Sequence, residues 1–158
     1  MSDTILSVIP TDPRWQPDPT RAEHARSVVA GLLPLERCGL GFDEIKVTWH
    51  AQVAAVDCGE NIQRISCPHC AAEIDIRWWS DLLKERVCSG ENFDDLSATL
   101  PCCRVSASLT DLDYDWPCGF ARFEIEIWNP DRDWFTGDEL ASIAQAIGHP
   151  VRQIMAHI

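Results

Sequence analysis

Two short cysteine clusters constrain this chain more than anything else in it. Cys67-Pro68-His69-Cys70 is followed, about thirty residues on, by Leu100-Pro101-Cys102-Cys103. Four thiols arriving in two pairs are what a tetrahedral Zn²⁺ site takes, and a shared ion would tie two distant turns together. The two clusters read as variants of one template. With the prolines aligned, Cys70 falls opposite Cys103, His69 opposite Cys102, and Cys67 opposite Leu100. The expected ligands are Cys67, Cys70, Cys102 and Cys103. Adjacent residues in a strand point to opposite faces, so Cys102 and Cys103 can both ligate only where the turn tightens between them. If Cys103 acts alone, His69, Cys58, Cys88 or Cys118 would supply the fourth ligand.

Around these clusters the pattern is that of an α+β fold. Asp18 and Pro19 open a helix whose apolar face carries Ala22, Ala25, Val28, Val29, Leu32 and Leu33, and Pro34 ends it. Cys38-Gly39-Leu40-Gly41 makes a flexible turn. Residues 43–57 alternate, with Ile45, Val47, Trp49, Ala51 and Val53 on one face of a half-buried strand. Ile62 to Ser66 enters the first cluster as a strand, and Glu73 to Arg77 leaves it extended. Trp78 to Val87 forms a short helix. Leu96 to Leu100 enters the second cluster and Val105 to Leu112 leaves it. Each cluster then sits at the tip of a β-hairpin.

The C-terminal third is the most regular. Phe120 to Trp128 alternates as a strand. Thr136-Gly137-Asp138-Glu139 is a capping box, and Gly148 with Pro150 closes the helix. A last strand follows at Val151 to Ile158, so strand, helix and strand allow a β-α-β crossover. Residues 1–17, with Pro10, Pro13 and Pro17, read as an irregular leader packing through Ile5, Leu6, Val8 and Trp15. The expected whole is one α+β domain over 1–158. It has a mixed or antiparallel sheet, two or three helices, and the knuckle hairpins of 58–106 inserted.

Charge narrows the function classes. The net charge of −12 argues against a nucleic-acid binder or a protein of anionic membrane surfaces, and favours a basic protein partner. Glu91 to Glu139 holds twelve acidic residues against three arginines. Asp111, Asp113 and Asp115 alternate there, and Asp131 and Asp133 follow a turn. Trp116, Trp128 and Trp134 lie among these acids and would serve as anchors of a binding surface. Asp111 to Asp115 opens like an EF-hand loop, but Trp116 and Arg122 stand where Gly and Glu are needed.

The start, Met1-Ser2-Asp3-Thr4, has no signal-peptide pattern, and no stretch approaches a membrane span. A cytoplasmic, reducing compartment is expected, where clustered cysteines bind metal or do chemistry more often than they form disulfides. A thioredoxin-type role for Cys67 and Cys70 would need a helix beginning at the motif, whereas Ile74-Asp75-Ile76 alternates like a strand. His50 stands on the polar face of its strand, with no orienting carboxylate at a fixed spacing.

The Cys67–Cys70 turn resembles the knuckle of zinc-ribbon proteins. The likeness runs from Ile65 to Val105 and departs at Ala71, where Gly often follows the second Cys, and at Leu100. It implies a structural Zn²⁺. The rest of the chain looks like small bacterial cytosolic proteins. In size, acidity and tryptophan content it is similar to immunity proteins that neutralise basic toxins. The expected function is a non-enzymatic binding protein. The alternative is a zinc-dependent hydrolytic enzyme with an open metal position and His50 or an Asp as general base.

Overall fold

A computed structural model describes residues 2–36, 39–40 and 44–158. The elements in chain order are β1 (Thr4–Pro10), α1 (Pro19–Leu32), β2 (Leu35–Glu36), β3 (Gly39–Leu40), β4 (Glu44–Ala55), β5 (Ile65–Ser66), β6 (Glu73–Ile74), α2 (Ile76–Ser89), β7 (Ser97–Thr99), β8 (Ser106–Ser108), β9 (Asp113–Tyr114), β10 (Phe120–Trp128), α3 (Gly137–Ile147) and β11 (Val151–His157). The class is α+β, as expected, and the strand pairs are antiparallel. Of the turn expected at 38–41, Cys38 and Gly41 lie outside the described residues, while Gly39–Leu40 pairs with Leu35–Glu36.

The main sheet has the order β11-β1-β10-β4. The supposed leader is therefore corrected: residues 4–10 form an inner strand. Leu6 and Val8 enter the core beneath the helices, and Ile9 enters a second core on the opposite face. A strand covered on both sides shows no polar alternation, so Thr4–Pro10 carries no period-2 signature. The C-terminal β-α-β unit is present in split form. β10 and β11 both run antiparallel to β1, so they are parallel to each other with β1 between them.

Helices α1 and α3 cover one face. Asp18 Oδ1 accepts the Arg21 N–H at 2.8 Å, and Pro19 starts the helix. Thr136 and Glu139 form the reciprocal capping box, and Gly148 closes α3 at φ +84°. Arg132 grips Glu139 with a 2.6 Å contact and donates to the Leu32 carbonyl at 2.8 Å, tying α3 to the end of α1. Val29, Ile143 and Ile147 meet Phe123, Ile125 and Ile127 of β10 in this core.

β4 departs from simple alternation. Its register against β10 shifts between Ala121 and Phe123, so residues 50–53 stand opposite Arg122 alone. Ile45 and Val47 belong to the helix-side core, Val53 belongs to the other, and Trp49 is 44% exposed. The single apolar face expected for 43–57 is thus split by an extended bulge. Gln16 bridges that gap, with Nε2 donating to the His50 carbonyl at 3.0 Å and the Arg122 carbonyl at 2.8 Å. The Arg122 N–H in turn reaches the Pro13 carbonyl at 2.9 Å.

The segment between β4 and β10 builds the second core. Phe93 packs on Phe120 with centroids 5.0 Å apart, and Trp79 meets Tyr114 at 5.9 Å. β5 pairs with β6 and β9, and β7 pairs with β8. The strand expected over 105–112 is shorter, covering Ser106–Ser108, after which Leu109 N–H returns to the Leu96 carbonyl at 2.8 Å. Among the described residues, no helix is long and apolar enough to cross a membrane.

Candidate metal centre

The two cysteine turns share one backbone design. In the first, the Cys67 N–H donates to the Ala72 carbonyl at 2.8 Å, and the Ala71 N–H donates back to the Cys67 carbonyl at 3.0 Å. In the second, the Leu100 N–H donates to the Val105 carbonyl at 3.0 Å, and the Arg104 N–H to the Leu100 carbonyl at 2.9 Å. The residue after each final cysteine is left-handed: Ala71 at φ +62° and Arg104 at φ +60°. The correspondence read from the aligned prolines therefore holds bond for bond. Leu100, in the place of the missing cysteine, has no exposed surface and packs in the second core. Its position gives a core contact where the first turn has a thiol, and Cys102 brings the fourth sulfur of the group instead.

The tight turn also resolves the adjacent pair. Cys67, Cys70, Cys102 and Cys103 bring their four sulfurs within 4.8 Å of one another. Cys67 Sγ lies 3.8 Å from Cys103 Sγ, and Cys102 Sγ lies 3.9 Å from Cys103 Sγ. Tetrahedral thiolate coordination at about 2.3 Å spaces its sulfurs about 3.8 Å apart. A disulfide would need about 2.05 Å. The donor set and its spacing therefore fit a metal ion. Of the other candidates, His69, Cys58, Cys88 and Cys118 are not part of the group. Cys58 and Cys118 are buried core residues, and Cys88 is exposed.

The turns also tune the sulfurs. The N–H groups of Cys70 and His69 point at Cys67 Sγ from 3.4 and 3.3 Å. They lower the Cys67 thiol to about 6, with the Cys70 N–H the larger influence. Cys102 moves the other way, to about 12, through desolvation and then through the sulfurs of Cys70, Cys67 and Cys103 around it. Four thiols this close cannot all ionise without a cation among them. Cys67 is buried, Cys103 half-buried, and Cys70 and Cys102 exposed, so the cluster lies at the surface of its hairpins. No helix begins at Cys70. The chain enters β6, and α2 starts at Ile76, so the thioredoxin arrangement is absent.

No family model, no curated protein and no solved structure matches this chain.

The acidic candidates fall in several places. Asp111, Asp113 and Asp115 are exposed, and Asp113 and Asp115 line a shallow depression with Arg64 and Ser66. Asp115 Oδ1 also accepts the Gln63 N–H at 3.1 Å. Asp131 and Asp133 are exposed beside Arg132. Trp116 and Trp134 are half-buried and in ring contact at 5.5 Å, and the Trp116 indole donates to the Met155 carbonyl at 2.8 Å. Trp128 stands apart from them, donating to Glu126 Oε2 at 3.2 Å.

One residue was not singled out in the sequence. Glu124 is 8% exposed, and its Oε1 lies 2.9 Å from His50 Nε2. Burial pushes its carboxyl up to about 7, opposed by the His50 contact and reinforced by Glu126. His50 thus has the orienting carboxylate that no sequence spacing supplied. The only hint was the place of Glu124 on the polar face of β10, since the β4 bulge that brings His50 to it leaves no sequence mark.

Proposed function

We propose that Cys67, Cys70, Cys102 and Cys103 hold one Zn²⁺ in a closed structural site. We further propose that the chain is a non-enzymatic, cytoplasmic binding protein directed at a basic protein. The convergence of four sulfurs within 4.8 Å carries the first half of this reading. Four protein ligands fill a tetrahedral zinc and leave no open position for chemistry. The ion would supply charge and tie the β5–β6 and β7–β8 turns together, and its binding would be coupled to folding and to loss of the thiol protons.

The net charge of −12 supports the second half. The surface from Asp111 to Asp133 would meet the partner, with Asp111, Asp113, Asp115, Asp131 and Asp133 steering it. Trp116, Trp128 and Trp134 would act as anchors, an arrangement of the immunity-protein or adaptor kind. We read residues 1–158 as one domain with the hairpins of 58–106 inserted.

The alternative, a zinc-dependent hydrolase with His50 as base, draws on the His50–Glu124 contact. It would need an open metal position, which a set of four thiolates does not leave.

Elemental analysis of protein purified without a His tag tests the metal. One zinc per chain in the wild type, lost together with ordered structure in both Cys67→Ser and Cys103→Ser, is expected. Well-folded protein without zinc would overturn the site. For the partner, association with an oligolysine peptide should weaken as salt rises and in the triple Asp111→Asn, Asp113→Asn, Asp115→Asn variant. Association that ignores both would remove the acidic-surface reading and leave the metal reading intact.

A further inference from the structure

On the face of the main sheet away from α1 and α3 lies a cavity of about 210 Å³, lined by Ile5, Ser7, Ala55, Asp57, Glu124, Glu126, Trp128 and Ile158. Its polar lining is three carboxylates and one hydroxyl, and no lysine or arginine side chain lines it. We propose that this cavity is a binding site for a primary alkylammonium group, carried by a small amine or by a lysine side chain. The proposal does not depend on the metal or on a basic protein partner.

Ser7 is the observation that points to an occupant. It is 1% exposed, sits on β1 directly across from Glu126, and its hydroxyl makes no hydrogen bond within the described residues. Ser7 lines the cavity, so the donor and acceptor capacity of its hydroxyl is open to an occupant there. Two buried side-chain atoms near Glu124 in the sheet have no partner, Thr48 Oγ1 directly across from it on β4 and Arg122 Nε two residues before it on β10, but neither residue lines the cavity.

The carboxylates are partly committed but keep acceptor capacity. Glu124 Oε1 meets His50 Nε2, Glu126 Oε2 accepts the Trp128 indole, and Asp57 Oδ1 accepts the Gly59 N–H. Each carboxylate has about four acceptor sites, so several remain open. The Glu124 carboxyl, raised to about 7 by burial, is held near neutrality by its surroundings and gains from a cation placed beside it. Lys46 stands opposite Glu126 but is exposed, lies outside the cavity lining, and forms no ion pair among the described residues; Arg122, two residues before Glu124, lies outside the lining as well.

Shape selects the kind of cation. The side chains of His50, Asp57, Glu124 and Glu126 do not converge on one metal-sized point; among the described residues only the four cysteines do. An ammonium has three N–H donors that diverge, which suits acceptors spread over Glu124, Glu126 and Ser7. Ile5, Ala55, Trp128 and Ile158 then offer an apolar wall for the alkyl chain. The volume equals roughly seven waters' share of the liquid, enough for a short alkyl chain and too small for an aromatic drug-sized ligand.

Butylammonium chloride titrated into the ¹⁵N-labelled metal-loaded protein tests this, read at the Trp128 indole N–H. Saturable shifts at millimolar concentration are expected, with 1-butanol and Mg²⁺ producing none of them. Glu126→Gln should weaken binding by at least about tenfold, in line with loss of a charged hydrogen-bond acceptor. Its melting temperature should stay near that of the wild type. Nα-acetyl-lysine amide in a second arm separates the sources: shifts as strong as those of butylammonium assign a lysine side chain, and weaker ones a free amine. The proposal falls if butylammonium gives no saturable shift, if butanol matches it, or if Mg²⁺ reproduces the same shifts. It falls equally if folded Glu126→Gln binds as the wild type does. The wild-type comparisons decide the matter even where that variant does not fold.

Discussion

Ala71 and Arg104 hold φ near +60° because each turn needs a left-handed residue to bring the chain back after its last cysteine. A Cβ makes that conformation cost about 1–2 kcal/mol, and glycine removes the clash at some cost in unfolded-chain entropy. Ala71→Gly and Arg104→Gly should each raise stability by about 0.5–1 kcal/mol, readable as a higher urea midpoint. The shared turn geometry was legible in the sequence, because Pro68 and Pro101 align the two clusters. What was not legible was how neighbouring cysteines could serve one ion, since that depends on backbone angles at Cys102, Cys103 and Arg104 that residue types alone do not fix. Glu124 was hidden for a similar reason: its partner His50 is distant in sequence and arrives through a bulge. Its carboxyl is raised from the ordinary 4.5 to about 7, so the folded protein favours the protonated form. Stability is then lost as pH rises from about 4.5 through about 7, the direction expected for a carboxyl whose folded value is raised. Glu124→Gln should remove that loss, narrowing the gap between urea midpoints at pH 5 and pH 8.

At the scale of elements, helices were read more accurately than strands. Asp18, Thr136, Glu139 and Gly148 mark helix ends with side-chain and backbone bonds that sequence signals encode directly. β1 was missed because burial on both faces erases alternation, and Pro10 at its end reads like the start of a loop. β4 was found, but its bulge was not. There the ladder opens opposite Arg122, and Gln16 substitutes for it by donating to the His50 and Arg122 carbonyls at once. Gln16→Ala should leave two partly buried carbonyls without their donor and cost about 1–3 kcal/mol. The accompanying signature is faster amide exchange around Arg122 and His50, while α2 is unaffected. A loss below about 0.5 kcal/mol would mean that water fills the gap.

For the whole molecule, the two cores set different dependences. The helix-side core draws on β1, β10, α1 and α3, while the second core surrounds the cysteine hairpins, with Trp116 touching both. Chelation should therefore first deprotect amides between Ile65 and Val105, leaving those of β1, β10 and α3 protected under hydrogen exchange. Uniform loss across both cores would instead reveal one cooperative unit. The inner position of β1 bears on how the chain is made. Thr4 pairs with His157 and Ile5 with Trp128, so β1 leaves the ribosome long before either of the strands it pairs with. At roughly 5–20 residues per second, β10 begins to emerge about 5–20 s after β1. Throughout that interval the segment TILSVIP has both edges unpaired, which makes the nascent chain, more than the finished protein, the form most open to aggregation.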